Sequence, residues 1–249
     1  MSRRGRGIYR TIYWHRLAIV LFVCSLLVCG AILVFIFVRP PIGTVTVPRR
    51  HFYMVVTARH ERLAEANRDA LAIRNIGGAG FVVNSEDAFL VVASVYNNTR
   101  DANAVAQRLS IEEGFNAEVF RRTVPRVRLF SENFESSRIL SNIITTPIEL
   151  IDNLAVISID LSAGRITETY ALSLLNSKRN NLLILSGQIA QLSNEFSSKI
   201  APIQEFYSTV LNAFLSASNL NFAPTLPTNI LHLVPLIIES YYQTILMLQ

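Results

Sequence analysis

The sequence predicts an α+β protein: a transmembrane helix, then a four-stranded βαββαβ module, then a helical C-terminal region. Three observations carry this. Leu17 to Val38 is an apolar run of 22 residues without a charge. From residue 51 to about 125, stretches of period-two apolar pattern alternate with stretches of helical period. From Ser131 onward only the helical period remains.

The apolar run has the length of a bilayer-spanning helix, about 20 residues. A cleaved signal peptide would have a shorter apolar core of roughly 7 to 15 residues and a small-residue cleavage site. Here Arg39-Pro40-Pro41 follows instead, so the run reads as an uncleaved anchor over 17–38. Tyr9, Tyr13 and Trp14 are placed to form an interfacial aromatic belt. Arg3, Arg4, Arg6, Arg10 and Arg16 precede the span, while Arg39, Arg49 and Arg50 follow it. The excess before the span predicts a cytoplasmic tail over 1–16, with the bulk of the chain outside the cell membrane.

Composition narrows the function. The chain has 249 residues, 51% of them hydrophobic, and a net charge of +5. Its only lysines are Lys178 and Lys199, and the N-terminal arginines account for most of the excess charge. Such a distribution gives no footprint for nucleic acid. The two cysteines, Cys24 and Cys29, both fall in the anchor, where they read as apolar filler. The exported part therefore has no disulfide framework, which suits a bacterial envelope protein. Asn97-Asn98-Thr99 matches a glycosylation sequon, but in a bacterial protein it marks only a helix start.

Residues 39–50 read as a short extended linker stiffened by prolines. The module follows over 51–128. Phe52 to Thr57 is a strand, and Glu61 to Arg74 an amphipathic helix with Leu63, Ala66, Ala70, Leu71 and Ile73 on its apolar side. Gly77-Gly78 closes it. Residues 77–96, GGAGFVVNSEDAFLVVASVY, hold two β-branched runs joined by a polar turn at Asn84-Ser85-Glu86-Asp87, a hairpin pattern. Asn98 or Thr99 caps a second helix over about 100–113, Gly114 stops it, and Asn116 to Arg122 is a last short strand. This order folds most simply as one sheet with both helices on one face, a ferredoxin-like arrangement.

The module resembles the SPOR domain, the peptidoglycan-binding repeat of bacterial division and sporulation proteins. The likeness rests on the opening strand Phe52-Tyr53-Met54-Val55-Val56, the helix segment AEANRDALA, the glycine turn, FLVVASVY, TRDANAVAQRL and GFNAEVF. It spans about 75 of the 249 residues. It implies a sheet whose free face binds glycan strands lacking stem peptides. The sequence departs from that pattern where the ligand would lie. Val56 stands where the family commonly has Gln. Leu90 replaces an Arg of the third strand, and Ser94-Val95 replaces Gly-Pro. Alternation puts Met54, Val56, Leu90 and Val92 on the face that the resemblance assigns to glycan or a partner. A one-residue shift of register would swap the two faces. An aliphatic sheet face left in water marks an interface. The expectation is that it is covered, by the chain's own C-terminal helices or by a partner protein.

The helical region covers 129–249. Ser131 caps a first segment. Thr146-Pro147-Ile148-Glu149 is a capping box that starts a helix to about Leu161, and Ala163-Gly164 breaks it. A long helix runs from Arg165 to about Lys199, and Pro202 starts or kinks another, to about Ser216. NFAPTLPTN is a loop, and the last helix is Thr228 to Met247. With His232, Pro235 and Glu239 inside, that helix reads as packed or interfacial rather than spanning. The apolar stripe of the long helix is not a strict heptad, so a bundle core is expected, or dimerisation through these helices.

No catalytic constellation is visible. His15, His51, His60 and His232 are scattered, no metal-ligand spacing occurs, and GGAG leads into a strand rather than a helix. Glu86-Asp87 and Glu112-Glu113 read as solvated neighbours. Nothing calls for a cofactor or a metal. The expectation is a non-enzymatic, single-pass envelope protein that binds peptidoglycan at division or sporulation septa. The alternative is an assembly protein whose degenerate module and helices contact an envelope or division protein, or a second copy.

Overall fold

The structure, a computed structural model, describes residue 25 and residues 43–131, 134–192, 197–218 and 225–249. The tail, nearly all of the anchor with Cys24 and Cys29, and the start of the linker lie outside the described residues. The elements are β1 (Thr44–Val47), β2 (Arg50–His60), α1 (Leu63–Asn75), β3 (Phe81–Asn84), β4 (Phe89–Tyr96), α2 (Thr99–Glu112), β5 (Glu118–Val124), β6 (Val127–Phe130), α3 (Phe134–Ser162), α4 (Glu168–Gln191), α5 (Ser197–Ser218) and α6 (Leu226–Met247). The class is α+β.

The main sheet has the order β3-β4-β2-β5, and every neighbouring pair is antiparallel. The long β2 is central because both its faces carry apolar residues. Phe52, Met54 and Val56 point to one side and Tyr53 and Val55 to the other. The pairing with β4 slips between Val56 and Ala58, a bulge at Thr57 that turns Ala58 toward α1. On that side Ala66, Ala70 and Ile73 of α1 pack on Val91 and Ala93, and Ala102 and Ala106 of α2 pack on Val55. Alanines at these positions let both helices lie close to the strands. Leu63 and Leu71 turn outward instead.

Local signals set the ends of these helices. Gly77 adopts a left-handed backbone at φ 91°, and Gly78 N–H bonds back to the Ile73 carbonyl at 2.9 Å. Asn98 caps α2, its side chain accepting from Asp101 N–H at 2.9 Å.

The linker is not only a linker. Thr44–Val47 forms an antiparallel ribbon with Val127–Phe130, more than 80 residues downstream. Val45, Val47, Val127 and Leu129 turn inward, while Thr46, Arg128 and Phe130 face out. The alternation of Val and Thr suits a two-sided strand, and Pro48 marks its end rather than stiffening a spacer.

The C-terminal helices form a four-helix bundle in which α3 neighbours α4 and α6, and α5 neighbours α4 and α6. Ser158 Oγ donates to the Pro227 carbonyl at 3.1 Å, and Tyr241 Oη to the Ile144 carbonyl at 3.0 Å. These bonds are fourteen residues apart on each helix and fix α3 and α6 as antiparallel neighbours.

The capping box at Thr146-Pro147 does not start a helix; α3 runs through it from Phe134 to Ser162. Pro147 removes the bond to the Ile143 carbonyl, and the Tyr207 hydroxyl donates to that carbonyl instead. Similarly, Pro202 lies within α5 rather than at its start. The long helix ends at Gln191, and residues 193–196 lie outside the described ones. The last helix starts at Leu226 with Pro227 in its first turn.

By length and composition alone, α3 and α6 are apolar enough to cross a membrane, and half of each apolar window is buried inside the protein. For α6 the cause is its position. Leu233, Ile237, Tyr241 and Ile245 are all buried, because the helix is flanked by the bundle on one side and the sheet on the other.

Candidate functional site

Met54, Val56, Leu90 and Val92 lie on one face of the sheet, opposite α1 and α2. Each is at most 1% exposed. The helix crossing this face is α6, which contacts β3, β4 and β5. The four side chains are continuous with the bundle core, including Leu233, Val234, Ile237 and Ile238. Burying an aliphatic side chain of this size is worth about 1.5–3 kcal/mol. The face therefore behaves as an internal interface of the chain.

Polar contacts tie α6 down at both ends of the contact. On β5, Arg122 pairs with Glu239 at 2.9 Å, and the two side chains are only 11% and 16% exposed. The Arg122 guanidinium also lies over the Tyr242 ring at 4.5 Å and the Phe120 ring at 5.2 Å. Gln243 donates to Glu239 at 2.9 Å, one turn along α6.

At the other end His232 reaches the loop before β3. Its Nδ1 lies 2.8 Å from the Ala79 carbonyl, so Nδ1 carries the proton. Arg74 Nη2 lies 2.9 Å from Nδ1 and 3.0 Å from Nε2; with Nδ1 protonated only Nε2 can accept from it, while Arg74 Nε donates to the Gly80 carbonyl at 3.0 Å. The His232 ring meets Phe81 edge-on at 5.3 Å. Burial, then the Arg74 charge, pushes the His232 pKa down to about 4, so the ring is neutral at neutral pH. Burial also lowers the pKa of Arg74.

A third tie is more exposed: Arg50 Nη2 bonds both carboxylate oxygens of Asp152 on α3, at 3.2 and 3.0 Å.

Beside the covered face an open groove of about 790 Å³ separates the module from α3. Val95, Tyr96 and Leu109 line one wall and Ala155, Val156 and Ile159 the other. Ile76, Val156 and Ile159 are more than half exposed at its lips.

The other histidines do not converge. His51 meets Thr123 at 2.9 Å, and His60 meets Asp69 at 2.7 Å and Glu65 at 3.7 Å, well apart from one another in the sheet; His15 lies outside the described residues. Among the described residues no three His, Cys, Asp or Glu side chains gather as a metal site would require. Burial raises the phenols of Tyr207 and Tyr241 above the ordinary tyrosine range. Both hydroxyls donate to backbone carbonyls of α3, a structural use.

The four aliphatic positions were legible from alternation. The polar ties were not, since Arg74 and His232 are 158 residues apart in sequence. The one available signal was that His232 and Glu239 are rare polar positions in an apolar helix. No known family model, curated protein or solved structure matches the chain.

Proposed function

We propose that the chain is a non-enzymatic, membrane-anchored envelope protein whose SPOR-like module serves assembly, in contact with another protein, rather than glycan reading. The observation that carries this is the covered face. The surface that the SPOR resemblance assigns to glycan holds Met54, Val56, Leu90 and Val92, and α6 occupies it. A sugar there would have to displace aliphatic packing and two buried polar ties, and would find few hydrogen-bonding partners. The open apolar groove between module and bundle supports a protein-contact role. The anchor over 17–38 and the extracytoplasmic position of the bulk rest on the sequence alone.

Glycan binding at septa is the competing reading, supported by the module's resemblance and by the βαββαβ order of β2 to β5. The test is cosedimentation of the full-length protein, in mild detergent, with peptidoglycan stripped of stem peptides. The expected result is that the protein stays in the supernatant. Saturable binding would restore the glycan reading.

A further inference from the structure

The bundle has two distinguishable ends. Ser158 meets Pro227 near one end, and Ile144 meets Tyr241 toward the other. The start of α3 and the end of α6 therefore share that second end. There Phe130 is 63% exposed, Phe134 71%, Met247 61% and Leu246 38%. The same end receives the chain from the anchor, because Thr44 is the register partner of Phe130 and Ser131 N–H bonds to the Gly43 carbonyl at 2.8 Å. Only residues 39–43 separate the apolar run from Thr44. A fully extended chain of that length spans no more than roughly 20 Å.

Arg128 faces out on the ribbon, two residues from Phe130. No ion pair joins Arg49, Arg126 or Arg128 to any partner among the described residues. At the start of α3, Arg138 is already paired with Glu135 at 2.7 Å. The end thus presents apolar and aromatic side chains beside the guanidinium of Arg128, within reach of the span. Interfacial surfaces that sit on anionic bilayers have this composition.

We propose that Phe130, Phe134 and Met247 form a foot that rests in the outer leaflet of the anchoring membrane, with Arg128 among anionic headgroups. This rests on the reading of 17–38 as the anchor. The foot fixes the height and tilt of the whole body: its sheet and groove are held at one distance from the bilayer instead of swinging on a tether.

The test uses the full chain with Trp14→Phe, carrying one of Phe130→Trp, Phe134→Trp or Met247→Trp. Tyr170→Trp is the control, since Tyr170 lies past the far end of α3, a helix of 29 residues and about 44 Å. Each protein is reconstituted into phosphatidylglycerol-containing vesicles with brominated acyl chains, washed in carbonate and floated. The foot tryptophans are expected to lose about half of their emission or more relative to unbrominated vesicles, given side chains buried about 5–10 Å into the interface. The control keeps its emission. Flotation with unquenched foot tryptophans overturns the foot and leaves the anchor standing. Loss of the protein from the floated vesicles overturns the anchor and the foot with it.

Discussion

The hydroxyl of Tyr207 donates to the carbonyl of Ile143 at 2.8 Å, the carbonyl that Pro147 leaves without an intrahelical donor. Tyr241 does the same one residue on, at the Ile144 carbonyl, 3.0 Å away. A proline inside a helix removes one bond and its ring crowds the carbonyl left behind, at a cost of about 3 kcal/mol. Here α5 and α6 each supply a donor to the opened turn. The break in α3 has become the point where three helices are joined.

Tyr207→Phe removes one donor and leaves a buried carbonyl unpaired, a loss of about 1–3 kcal/mol. At this chain length that lowers Tm by about 2–4 °C per kcal/mol. Pro147→Ala returns an N–H to the same carbonyl. The double variant Tyr207→Phe/Pro147→Ala is therefore expected to be more stable than Tyr207→Phe alone, measured by thermal or urea denaturation. No rescue would mean that Tyr207 acts through packing alone.

His232 makes stability depend on pH. Its folded pKa, about 4, lies below the ordinary histidine value near 6.5. Between these values the unfolded chain binds the proton and the folded chain does not. Stability is then fully present above about pH 6.5 and falls as pH drops toward 4, by about 3 kcal/mol over the window. His232→Asn keeps a donor for the Ala79 carbonyl and removes the titration. The difference in unfolding free energy between the two proteins is expected to narrow from pH 7 to pH 4. A constant difference would show that His232 does not titrate on unfolding.

The Arg122–Glu239 pair joins β5 to α6 in a largely buried place. Removing one partner, as in Glu239→Ala, leaves a charge with little water to solvate it and costs about 3–5 kcal/mol. Replacing both with apolar side chains, Arg122→Met/Glu239→Leu, is expected to recover most of that loss. The readout is chemical denaturation of the three proteins. A small loss in Glu239→Ala with a larger loss in the double variant would mean that the stacking of Arg122 on Tyr242, and not the ion pair, holds the helix.

Much of the module was legible because its signals are local. Asn98 caps α2 through its own side chain, Gly77 closes α1, and the strands alternate. The misses came where distant groups decide. Thr146-Pro147-Ile148-Glu149 carries every local sign of a helix start, yet hydroxyls from two other helices make continuation possible. Thr44–Val47 has a strand pattern but no neighbour in sequence, and its partner lies beyond the whole module. The covered face was readable as an apolar surface needing a cover. Which helix covers it followed only from the bundle's direction, set by Ser158–Pro227 and Tyr241–Ile144.

Leu90 is the sharpest test of that cover. It is fully buried and faces α6, at the position where the SPOR pattern has an arginine. Leu90→Arg supplies the residue type of that pattern but puts a guanidinium into an aliphatic interface. Burying a charge without a partner is among the few single changes that cost more than about 4 kcal/mol. The expected outcome is a Tm lowered by about 8 °C or more. Slowed amide exchange in β3 and β4 should be lost before that in β2. Binding to stripped glycan is not expected to appear. A variant that keeps its Tm and sediments with glycan would mean that α6 swings off the sheet at little cost. The covered face would then be a closed state of a glycan reader and not a permanent core.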